Sequence, residues 1–305
     1  MNISIVTVNF NGSEHTLKLL GSLKNQIDKE FDFIIVDNNS ESQDLQNLKN
    51  QDSEGIKITF LENNKNLGFS GGNNVGIKRA LELGSEWILL LNNDTWVENN
   101  FISLLKTNLK LLSNSKQEGM AGIAIDESFS DNSEQSRIVY AGKIEWLKPT
   151  LNHLMTFDII RKNNDIECRY YAIGGAVAIH KKVFEKIGFL DENYFLYFED
   201  ADFSIRTWRA KFPINFFSGV KVYHSTSSTT KKMGSPMLLY YHFRNAFYFN
   251  RKNGPLHIKA LNWFWRQWLV KKQLFKIIFG INREQSKAIL EGAYDYSKNK
   301  MGKHD

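Results

Sequence analysis

Residues 62–76 read ENNKNLGFSGGNNVG and residues 87–95 read WILLLNNDT, and these two segments decide the predicted fold. The first is a loop of glycines and amides that leads into a helix. The second is an apolar strand that ends on a polar cluster with one carboxylate, Asp94. Glycines allow a positive φ or a close approach to a ligand, and a helix N-terminus behind them favours an anion such as phosphate. Alternatively, the glycines serve only the turn of an ordinary strand–loop–helix–strand connection.

Strands and helices alternate on both sides of this stretch. Ser13 is expected to cap the first helix, Asn73 or Asn74 to cap the helix after the glycine loop, and Gly84 to end that helix. Alternation of this kind implies the α/β class, with a parallel sheet and right-handed crossovers. The four predicted strands of this region are residues 2–8, 31–36, 56–61 and 87–91.

The carboxyl ends of these four strands share a polar character. In open parallel sheets, ligands bind beyond the carboxyl ends of the strands. Asn and Asp are also common in turns, which explains some of the polar clusters but explains all four less well. The sequence therefore predicts a ligand site at this edge of the sheet. The clusters are residues 9–11, 37–39, 62–64 and 92–94.

The second half of the chain is predicted to be more mixed. A polar loop is expected at residues 126–137, and a helix over 180–187, closed by Gly188. A second helix is expected to carry an apolar face from Ala201 to Phe212. Four further strands are expected, the third with a bulge at its glycine pair, at residues 120–125, 138–146, 170–179 and 214–223.

Two groups of residues carry the candidate chemistry. Glu199, Asp200 and Asp202 crowd the start of a helix, where the helix dipole stabilises anions and a purely structural role would suffice. Three carboxylates within four residues repel one another, however, which suits a site where one acts as a base or a cation is held. His224 ends a predicted strand and is either a packed core histidine or, with Asp94, part of a metal site that suits Mn²⁺.

Five motifs follow one another along the chain. They are Asn9-Phe10-Asn11, Val36 to Ser40, Asn66 to Gly76, Leu90 to Thr95 and Glu199-Asp200-x-Asp202. With these motifs in register, the chain resembles the family 2 glycosyltransferases of the GT-A fold, and most of all their rhamnosyltransferase-type branch, over about residues 1–250. Residues 240–245, which read YYHFRN, also resemble a segment that this branch carries after its catalytic domain.

The resemblance implies a fold and an activity. The fold would be α/β and of the GT-A type, with a Rossmann-like, mostly parallel central sheet flanked by helices. Residues 1–110 would form the nucleotide-sugar-binding half, 111–225 the acceptor-binding and catalytic half, and 226–305 a C-terminal helical extension. The enzyme would be a metal-dependent inverting glycosyltransferase of the hexosyltransferase type. Its donor would be dTDP-rhamnose or a UDP-sugar, and its acceptor a glycan or lipid-linked molecule in cell-surface polysaccharide synthesis.

The resemblance also assigns roles to residues of the site. Asp200 would be the general base, and Glu199 and Asp202 are the neighbouring catalytic candidates. Asp94 would be the metal-binding acid of the DxD-type motif, and His224 would be the second protein ligand to Mn²⁺ or Mg²⁺. Inversion by a single displacement needs one base and no covalent nucleophile, which fits the absence of a Ser-His or Cys-His signature.

The donor contacts implied by the resemblance come from the same motifs. Asn9, Asp37 and Asn66 would lie around the nucleoside. Asn92 departs from the general family, which has an acid there, although the rhamnosyltransferase-type branch often has Asn. We expect a lower metal affinity with one charge fewer. The full set of expected nucleotide-sugar contacts is Val8, Asn9, Asn11, Asp37, Asn39, Asn66, Gly68, Phe69, Gly72, Asn73, Asn92, Asn93 and Arg244.

Other classes of protein compete with this interpretation. A sugar nucleotidyltransferase would need a Gly- and basic-rich loop after the first strand, and a dehydrogenase would need G-x-G-x-x-G there, whereas residues 9–12 read NFNG. A catalytically inactive sugar-nucleotide-binding scaffold would keep the same motifs and remains an alternative. Nucleic-acid binding has only the net charge of +6 in its favour, so no nucleic-acid partner is expected.

Composition sets the cellular expectations. The chain has 305 residues and one cysteine, Cys168, so it has no intrachain disulfide and fits a reducing compartment. We find neither a signal peptide at the N-terminus nor an apolar run of the roughly 18 residues that a spanning helix needs. The expected location is therefore cytoplasmic, with peripheral contact at the inner face of the plasma membrane as an extension of that expectation.

The region from Pro255 to Gly280 combines aromatic residues with charges that are all positive. Tryptophans beside basic residues suit the headgroup layer of an anionic membrane, and the charges recur too often for a spanning helix. The alternative is that this face packs on the catalytic domain or on a second subunit, in a homodimer formed through the C-terminal helices. The residues expected on the face are Leu261, Phe264, Trp265, Trp268, Phe275, Ile278 and Phe279.

Overall fold

The computed structural model describes residues 1–127, 137–157, 168–224 and 228–304, with the backbone alone described over 228–235. The helices in these ranges are α1 Ser13–Lys24, α2 Ser42–Lys49, α3 Gly68–Glu82, α4 Phe101–Asn114, α5 Lys181–Ile187, α6 Glu199–Arg209, α7 Ser228–Asn253, α8 Leu256–Ile278 and α9 Arg283–Ser297. The strands are β1 Ile3–Asn9, β2 Asp32–Asp37, β3 Lys57–Glu62, β4 Trp87–Leu91, β5 Thr95–Trp96, β6 Met120–Asp126, β7 Ile138–Val139, β8 Ala141–Lys143, β9 Asn152–Leu154, β10 Tyr170–Tyr171, β11 Ala176–His180 and β12 Ile214–His224.

One large mixed sheet organises the molecule. Its strands lie in the order β3-β2-β1-β4-β11-β6-β12-β5, and β7 pairs with β6. β11 is antiparallel to both of its neighbours, whereas β1, β2, β3 and β4 form parallel pairs, and so do β6 and β12. The predicted α/β class with a mostly parallel sheet is confirmed. Strands from residues 1–110 and from 111–225 share this one sheet, so the two predicted halves are continuous.

The register brings the polar strand ends together. Asn9 lies opposite Asp37, and Asp37 lies opposite Glu62, so β1, β2 and β3 end side by side. Val6 lies opposite Leu90 in β4, so the chain leaves that strand at the same edge of the sheet. The predicted convergence of the polar clusters at one edge is confirmed.

The two faces of the sheet bury two separate cores. Side chains alternate along a strand, so Ile3 and Ile5 face one side while Val6 faces the other. The first face packs against apolar residues of α1 and α4, among them Leu20 and Leu105. The opposite face packs against α3, α5 and α6. Helices cover both sides of the sheet, so β2 and β4 are buried on both faces. This burial explains why both strands are built on continuous apolar runs.

The glycine-rich segment is helical and is not a loop before a helix. α3 begins at Gly68, so Asn73 and Asn74 lie inside the helix and cap nothing. A Cβ added to Gly72 would lie 2.7 Å from Val8 Cγ1, and one added to Gly76 would lie 2.3 Å from Val6 Cγ1. These glycines therefore allow α3 to pack closely on β1. The predicted end of the helix is confirmed, because Gly84 follows its last residues with φ +80°.

The predicted strand at 170–179 is divided between two sheets. β10 belongs to a three-stranded sheet with β8 and β9, and β11 belongs to the large sheet, so the glycine pair between them is a connection rather than a bulge. The strand predicted at 138–146 is likewise broken into β7 and β8. α6 ends at Arg209, which leaves Phe212 outside the helix. Most of the polar loop predicted at 126–137 lies outside the described residues.

Three long helices follow β12 and form the expected C-terminal extension. Phe247 of α7, Leu269 of α8 and Ile289 of α9 are buried together in one cluster. Trp265 turns inward and lies 4.8 Å from the ring of Phe247, so its predicted place on the exposed face of α8 is wrong. Asn262, also buried, donates a hydrogen bond of 3.0 Å to the carbonyl oxygen of Phe247.

Candidate active site

A cavity of about 870 Å³ opens at the carboxyl edge of the sheet. Its wall combines the ends of β1, β2 and β4, the start of α3, the segment before α6, and parts of α7 and of the C-terminus. A volume of this size suits a ligand larger than a monosaccharide. The residues predicted from the sequence that line it are Val8, Asn11, Asn66, Gly68, Phe69, Asn73, Asn92, Asn93, Asp94, Glu199, Asp200 and His224.

Asn9 and Asp37, which were expected around a nucleoside, lie behind the wall. Both are buried, and the Asn9 amide donates to Asp37 Oδ1 at 3.0 Å and to Asp44 Oδ2 at 2.8 Å. Asp37 also accepts a hydrogen bond of 2.9 Å from the backbone N–H of Ser40. In turn, Ser40 Oγ accepts from the backbone N–H of Asn11, which does line the cavity. The structure therefore gives Asn9 and Asp37 the geometry of positioning residues for the loop that holds Asn11.

Three other predicted donor contacts are also absent from the wall. Asn39 is exposed and has φ +67°, which fits a turn residue after β2. Gly72 lies against Val8 inside α3. Arg244 is buried, donates 3.2 Å to the Tyr240 hydroxyl, and lies over the rings of Tyr240 and Tyr241. The guanidinium group of Arg244 therefore lies between α7 and α9 and not in the cavity.

Glu199 and Asp200 occupy the first turn of α6 and reach the cavity. Asp200 Oδ2 accepts 3.0 Å from the N–H of Gly174, and Oδ1 accepts 2.8 Å from the N–H of Ala201. Burial raises the pKa of Asp200, although these backbone donors partly offset the rise. Burial, and then the charge of Asp200, raise the pKa of Glu199 well above its usual range. Both carboxyl groups therefore have raised pKa values, and the backbone donors favour Asp200 over Glu199 as the one that carries negative charge.

Asp202 lies away from the cavity, so it is not placed to touch a substrate. It is fully buried and forms ion pairs with Arg206 Nε at 2.8 Å and with Lys252 Nζ at 2.8 Å. Asn253 donates a further hydrogen bond of 2.7 Å to Asp202 Oδ1. The residue predicted as a catalytic candidate is instead the point at which α6 is joined to α7.

We expect Asp202→Ala to lower the free energy of unfolding by about 3–5 kcal/mol, because it leaves Arg206 without its buried counter-charge and leaves Lys252 paired with Asp191 alone. Chemical denaturation measures this loss. Asp202→Asn should cost less, since it keeps the hydrogen-bonding shape of the side chain. An Asp202→Ala protein that is as stable as the wild type but inactive would return Asp202 to the catalytic group.

The segment before α6 is held by the start of α3. Phe69 N–H donates to the carbonyl oxygen of Phe195 at 2.8 Å, and Ser70 Oγ donates to that of Tyr194 at 2.6 Å. Because these groups at the start of α3 bond protein carbonyls, they are not available to a phosphate in this conformation. The expected anion site at this helix N-terminus is replaced by a contact that fixes the loop leading to Glu199 and Asp200.

Gly68 is the point of closest approach in this contact. It has φ +73°, and an added Cβ would lie 2.3 Å from the carbonyl oxygen of Phe195. We expect Gly68→Ala to lose more stability and more turnover than Gly84→Ala, which pairs a similar φ of +80° with open space. Both variants should lose about 1–2 kcal/mol from the left-handed backbone alone. Equal thermal shifts in the two variants would contradict the proposed contact.

Asp94 and His224 meet across two strands. β5 and β12 pair with Thr95 opposite His224, and this register places Asp94 Oδ1 3.2 Å from His224 Nε2. Burial lowers the pKa of His224, but the hydrogen bond and charge of Asp94 outweigh burial and raise it. A carboxylate beside an imidazole at the cavity wall fits Mn²⁺ or Mg²⁺. Among the described residues, no group of three or more His, Cys, Asp or Glu side chains is placed to hold a metal ion.

Several residues of the wall were not found from the sequence. Tyr197 has φ +72° and stacks on His242 of α7, with 4.1 Å between ring centres. Burial lowers the pKa of His242 to about 4, so this ring is neutral near pH 7. His304 donates its backbone N–H to the Tyr241 hydroxyl at 2.9 Å and also lines the cavity. The aromatic run at 194–198 and the segment at 240–245, which contains Tyr241 and His242, are the sequence signals that could have led to these contacts.

The described chain was compared with known proteins. A family model described as glycosyl transferase family 2 matches residues 4–188. A low-salt glycan biosynthesis hexosyltransferase, Agl10 of Haloferax volcanii, is 28% identical over 286 residues, which are 90% of this chain and 85% of that protein. The dTDP-rhamnosyl transferase RfbF of Shigella flexneri is 25% identical over 259 residues, which are 83% of this chain and 81% of that protein.

A solved structure shows the same fold. It is the mannosyltransferase PcManGT from Pyrobaculum calidifontis in complex with GDP-Man and Mn²⁺. The match has a TM-score of 0.57 and 10% sequence identity, and it covers 98% of this chain and 87% of that chain. The predicted GT-A fold is thereby confirmed.

Proposed function

Because the chain belongs to glycosyl transferase family 2, we propose that it transfers a sugar from a nucleotide-diphosphate sugar to a hydroxyl of a glycan or lipid-linked acceptor. The transfer inverts the anomeric carbon and serves cell-surface polysaccharide synthesis. One observation carries the proposal: the Asp94–His224 pair and the Glu199–Asp200 pair line the same cavity. A leaving diphosphate and an attacking hydroxyl need two such groups within reach of one anomeric carbon.

The donor is proposed to lie against the strand ends of residues 1–110. Asn11, Asn66, Asn92 and Asn93 present amides to the cavity there, and amides donate to and accept from both base and ribose. Val8 adds an apolar contact. The acceptor would lie toward residues 111–225 and the C-terminal extension, 226–305, which supply the acid pair and the aromatic part of the wall.

The metal site is proposed at Asp94 and His224. Mn²⁺ or Mg²⁺ bound there would offset the negative charge that builds on the leaving diphosphate. The Mn²⁺ in the mannosyltransferase of the same fold supports this proposal. Asp94 would be the charged protein ligand, since Asn92 is neutral. The donor phosphates would therefore help to hold the ion.

Asp200 is proposed as the general base. Its carboxylate takes the proton of the acceptor hydroxyl while the oxygen of that hydroxyl bonds to the anomeric carbon and the diphosphate leaves. A base of this kind contributes roughly 10²–10⁴ in rate, and a pKa raised by burial makes it a stronger base. The N–H groups of Gly174 and Ala201 fix the direction of the carboxylate. Burial and the charge of Asp200 raise the pKa of Glu199 beside it, so Glu199 is not proposed as the base.

The donor sugar is proposed to be rhamnose from dTDP-rhamnose, or a hexose from a UDP-sugar. The names of the two relatives, a dTDP-rhamnosyl transferase and a hexosyltransferase, support these two choices. The alternatives remain an inactive sugar-nucleotide-binding scaffold and a sugar nucleotidyltransferase. The second of these would release pyrophosphate from a nucleoside triphosphate and a sugar phosphate.

A thermal-shift screen of nucleotide-sugars tests the donor assignment. A ligand at 100 times its Kd should stabilise the protein by about 2.7 kcal/mol, and we expect the shift to depend on Mn²⁺. dTDP-rhamnose and UDP-hexoses should stand out from GDP- and CMP-sugars. Stabilisation by nucleoside triphosphates with no stabilisation by any nucleotide-sugar would favour the nucleotidyltransferase.

A further inference from the structure

The outer side of α8 is apolar and uncovered. Its inner side buries Ile258 and Leu269 against α7 and α9, together with Asn262 and Gln273. On the opposite side the exposed fractions are 63% for Phe264, and 74% for Ile278. The exposed apolar residues of this side, which we name the α8 outer face, are Leu261, Phe264, Trp268, Phe275, Ile278 and Phe279.

Helix geometry places these residues on one side of α8, in a stripe that Lys271 and Lys272 interrupt. Leu261, Phe264 and Trp268 follow one another at spacings of three and four residues, which places them on one side of an α-helix. Phe275 and Ile278 continue the stripe two turns further on. Large apolar side chains are normally covered in a protein surrounded by water. An exposed stripe of them therefore indicates a contact with a membrane or with another protein.

Every charge on this helix is positive. Lys259, Arg266, Lys271, Lys272 and Lys276 are its only charged residues. Lys271 and Lys272 are exposed and lie within the apolar stripe, and Lys272 Nζ is 4.8 Å from the centre of the Trp268 ring. None of the five forms an ion pair within the described ranges of the chain.

The sequence on both sides of α8 also has more basic than acidic residues. No aspartate or glutamate occurs between Asp202 and Glu284, whereas fifteen lysines and arginines do. The whole chain carries a net charge of only +6, so the remainder of the molecule is net negative. Positive charge is therefore concentrated in the part of the chain that carries the α8 outer face.

We propose that the α8 outer face docks on an anionic lipid surface. Tryptophan and phenylalanine rings enter the layer between headgroups and acyl chains, while lysine ammonium groups stay among the lipid phosphates. No helix in the described ranges combines the length and apolarity that crossing a bilayer requires, so α8 lies in the plane of the interface. The proposal is independent of the chemistry at the cavity.

The positive charge of α8 favours an anionic lipid surface over a second copy of the chain as the partner of the α8 outer face. A twofold dimer would place the same face of two molecules together. Lys271 and Lys272 of each copy would then lie against a helix that has no carboxylate to pair with them. An anionic lipid surface presents the complementary charge over the whole area of the face.

Flotation with lipid vesicles tests the proposal on the full chain. The protein should float with phosphatidylcholine vesicles that contain phosphatidylglycerol, less with phosphatidylcholine alone, and less at high salt, because salt screens the cations. Failure to float with the anionic vesicles at low salt would overturn the proposal.

Two pairs of variants locate the contact. Lys271→Glu with Lys272→Glu should weaken partitioning to anionic vesicles at least about tenfold, while Lys57→Glu with Lys186→Glu, an equal change of charge at exposed sites elsewhere, should not. Trp268→Ser with Phe275→Ser should abolish flotation, and Leu104→Ser with Leu111→Ser on exposed α4 positions should leave it intact. Equal effects in a variant pair and its control would contradict the assignment of α8.

The mass of the protein in solution tests the dimer directly. Light scattering should give a monomer of 35.3 kDa both for the wild type and for Trp268→Ser with Phe275→Ser. A wild-type dimer that these two substitutions convert to a monomer, in a protein that does not float, would move the α8 outer face to a subunit interface and refute the lipid contact.

Discussion

Asp200→Asn should lower turnover at least about 100-fold and leave donor binding nearly unchanged, because the substitution removes a base and keeps the shape of the side chain. The amide oxygen can still accept from the N–H of Gly174 or Ala201, so the segment before α6 should keep its conformation. Turnover of the wild type should fall as the pH drops through the raised pKa of Asp200. This acid limb of the kcat profile should be missing in the variant.

Two neighbouring variants serve as controls for that result. Glu199→Gln replaces a carboxyl group whose pKa is raised well above its usual range by burial and by the charge of Asp200, so it should cost much less turnover than Asp200→Asn. Asp202→Asn should act on stability more than on kcat, because Asp202 lies among Arg206, Lys252 and Asn253. Wild-type turnover in Asp200→Asn, together with a large loss in Glu199→Gln, would move the base to Glu199.

Asp94→Ala and His224→Ala should each remove the dependence of donor binding on Mn²⁺. The two side chains come from different strands and meet at 3.2 Å, so losing either leaves a single protein ligand. We expect the affinity for the nucleoside diphosphate in the presence of Mn²⁺ to fall at least about tenfold, which is 1.4 kcal/mol or more. Calorimetry with and without Mn²⁺ measures this change.

Asp126→Asn is the matched control for the metal variants. Asp126 is a buried carboxylate at the end of β6, and its side chain does not belong to the cavity wall. It should keep the metal dependence of the wild type. If both Asp94→Ala and His224→Ala also keep that dependence, His224 is a packed histidine held by its hydrogen bond to Asp94 and the metal assignment fails.

The fold could be predicted from the sequence where local patterns and burial agree. β4 was predicted with its correct limits because a run of five apolar residues ends abruptly on Asn92. β1, β2 and β3 were also found, since β-branched runs between polar turns are specific for buried strands. Their parallel direction followed from their alternation with helices. The register of the parallel pairs then brings their polar ends together.

The start of α3 could not be predicted because its glycines look like a loop. Glycine is unfavourable in a helix, so propensity places the start at Asn73 or later. Tertiary packing outweighs propensity here, because Gly72 and Gly76 allow close contact with Val8 and Val6. A single sequence does not distinguish a glycine that turns the chain from one that makes room for a strand.

Position at a strand end did not by itself decide which site residues were predicted correctly. Glu199 and Asp200 of α6 line the cavity as predicted, whereas Asn9 and Asp37, both at strand ends, lie behind its wall. Asp94 and His224 were brought together by strand pairing. Arg244 and Asp202 were chosen for their charge. Arg244 is buried against Tyr240 and Tyr241 of its own helix, and Asp202 pairs with Lys252 and Asn253 of α7, contacts that the sequence does not reveal. Lys303 and His304 reach the cavity through the packing of α7 and α9, which no local pattern encodes.

The central claim, that this cavity performs metal-dependent sugar transfer, is tested most directly by the release of nucleoside diphosphate from nucleotide-sugars. With Mn²⁺ and water or a glycan acceptor, the wild type should release diphosphate from at least one of dTDP-rhamnose and the UDP-sugars. A chelator should stop the release, and Asp200→Asn should reduce it at least about 100-fold. A folded wild-type protein that binds a nucleotide-sugar yet releases no diphosphate from any donor would contradict the account and identify a binding scaffold.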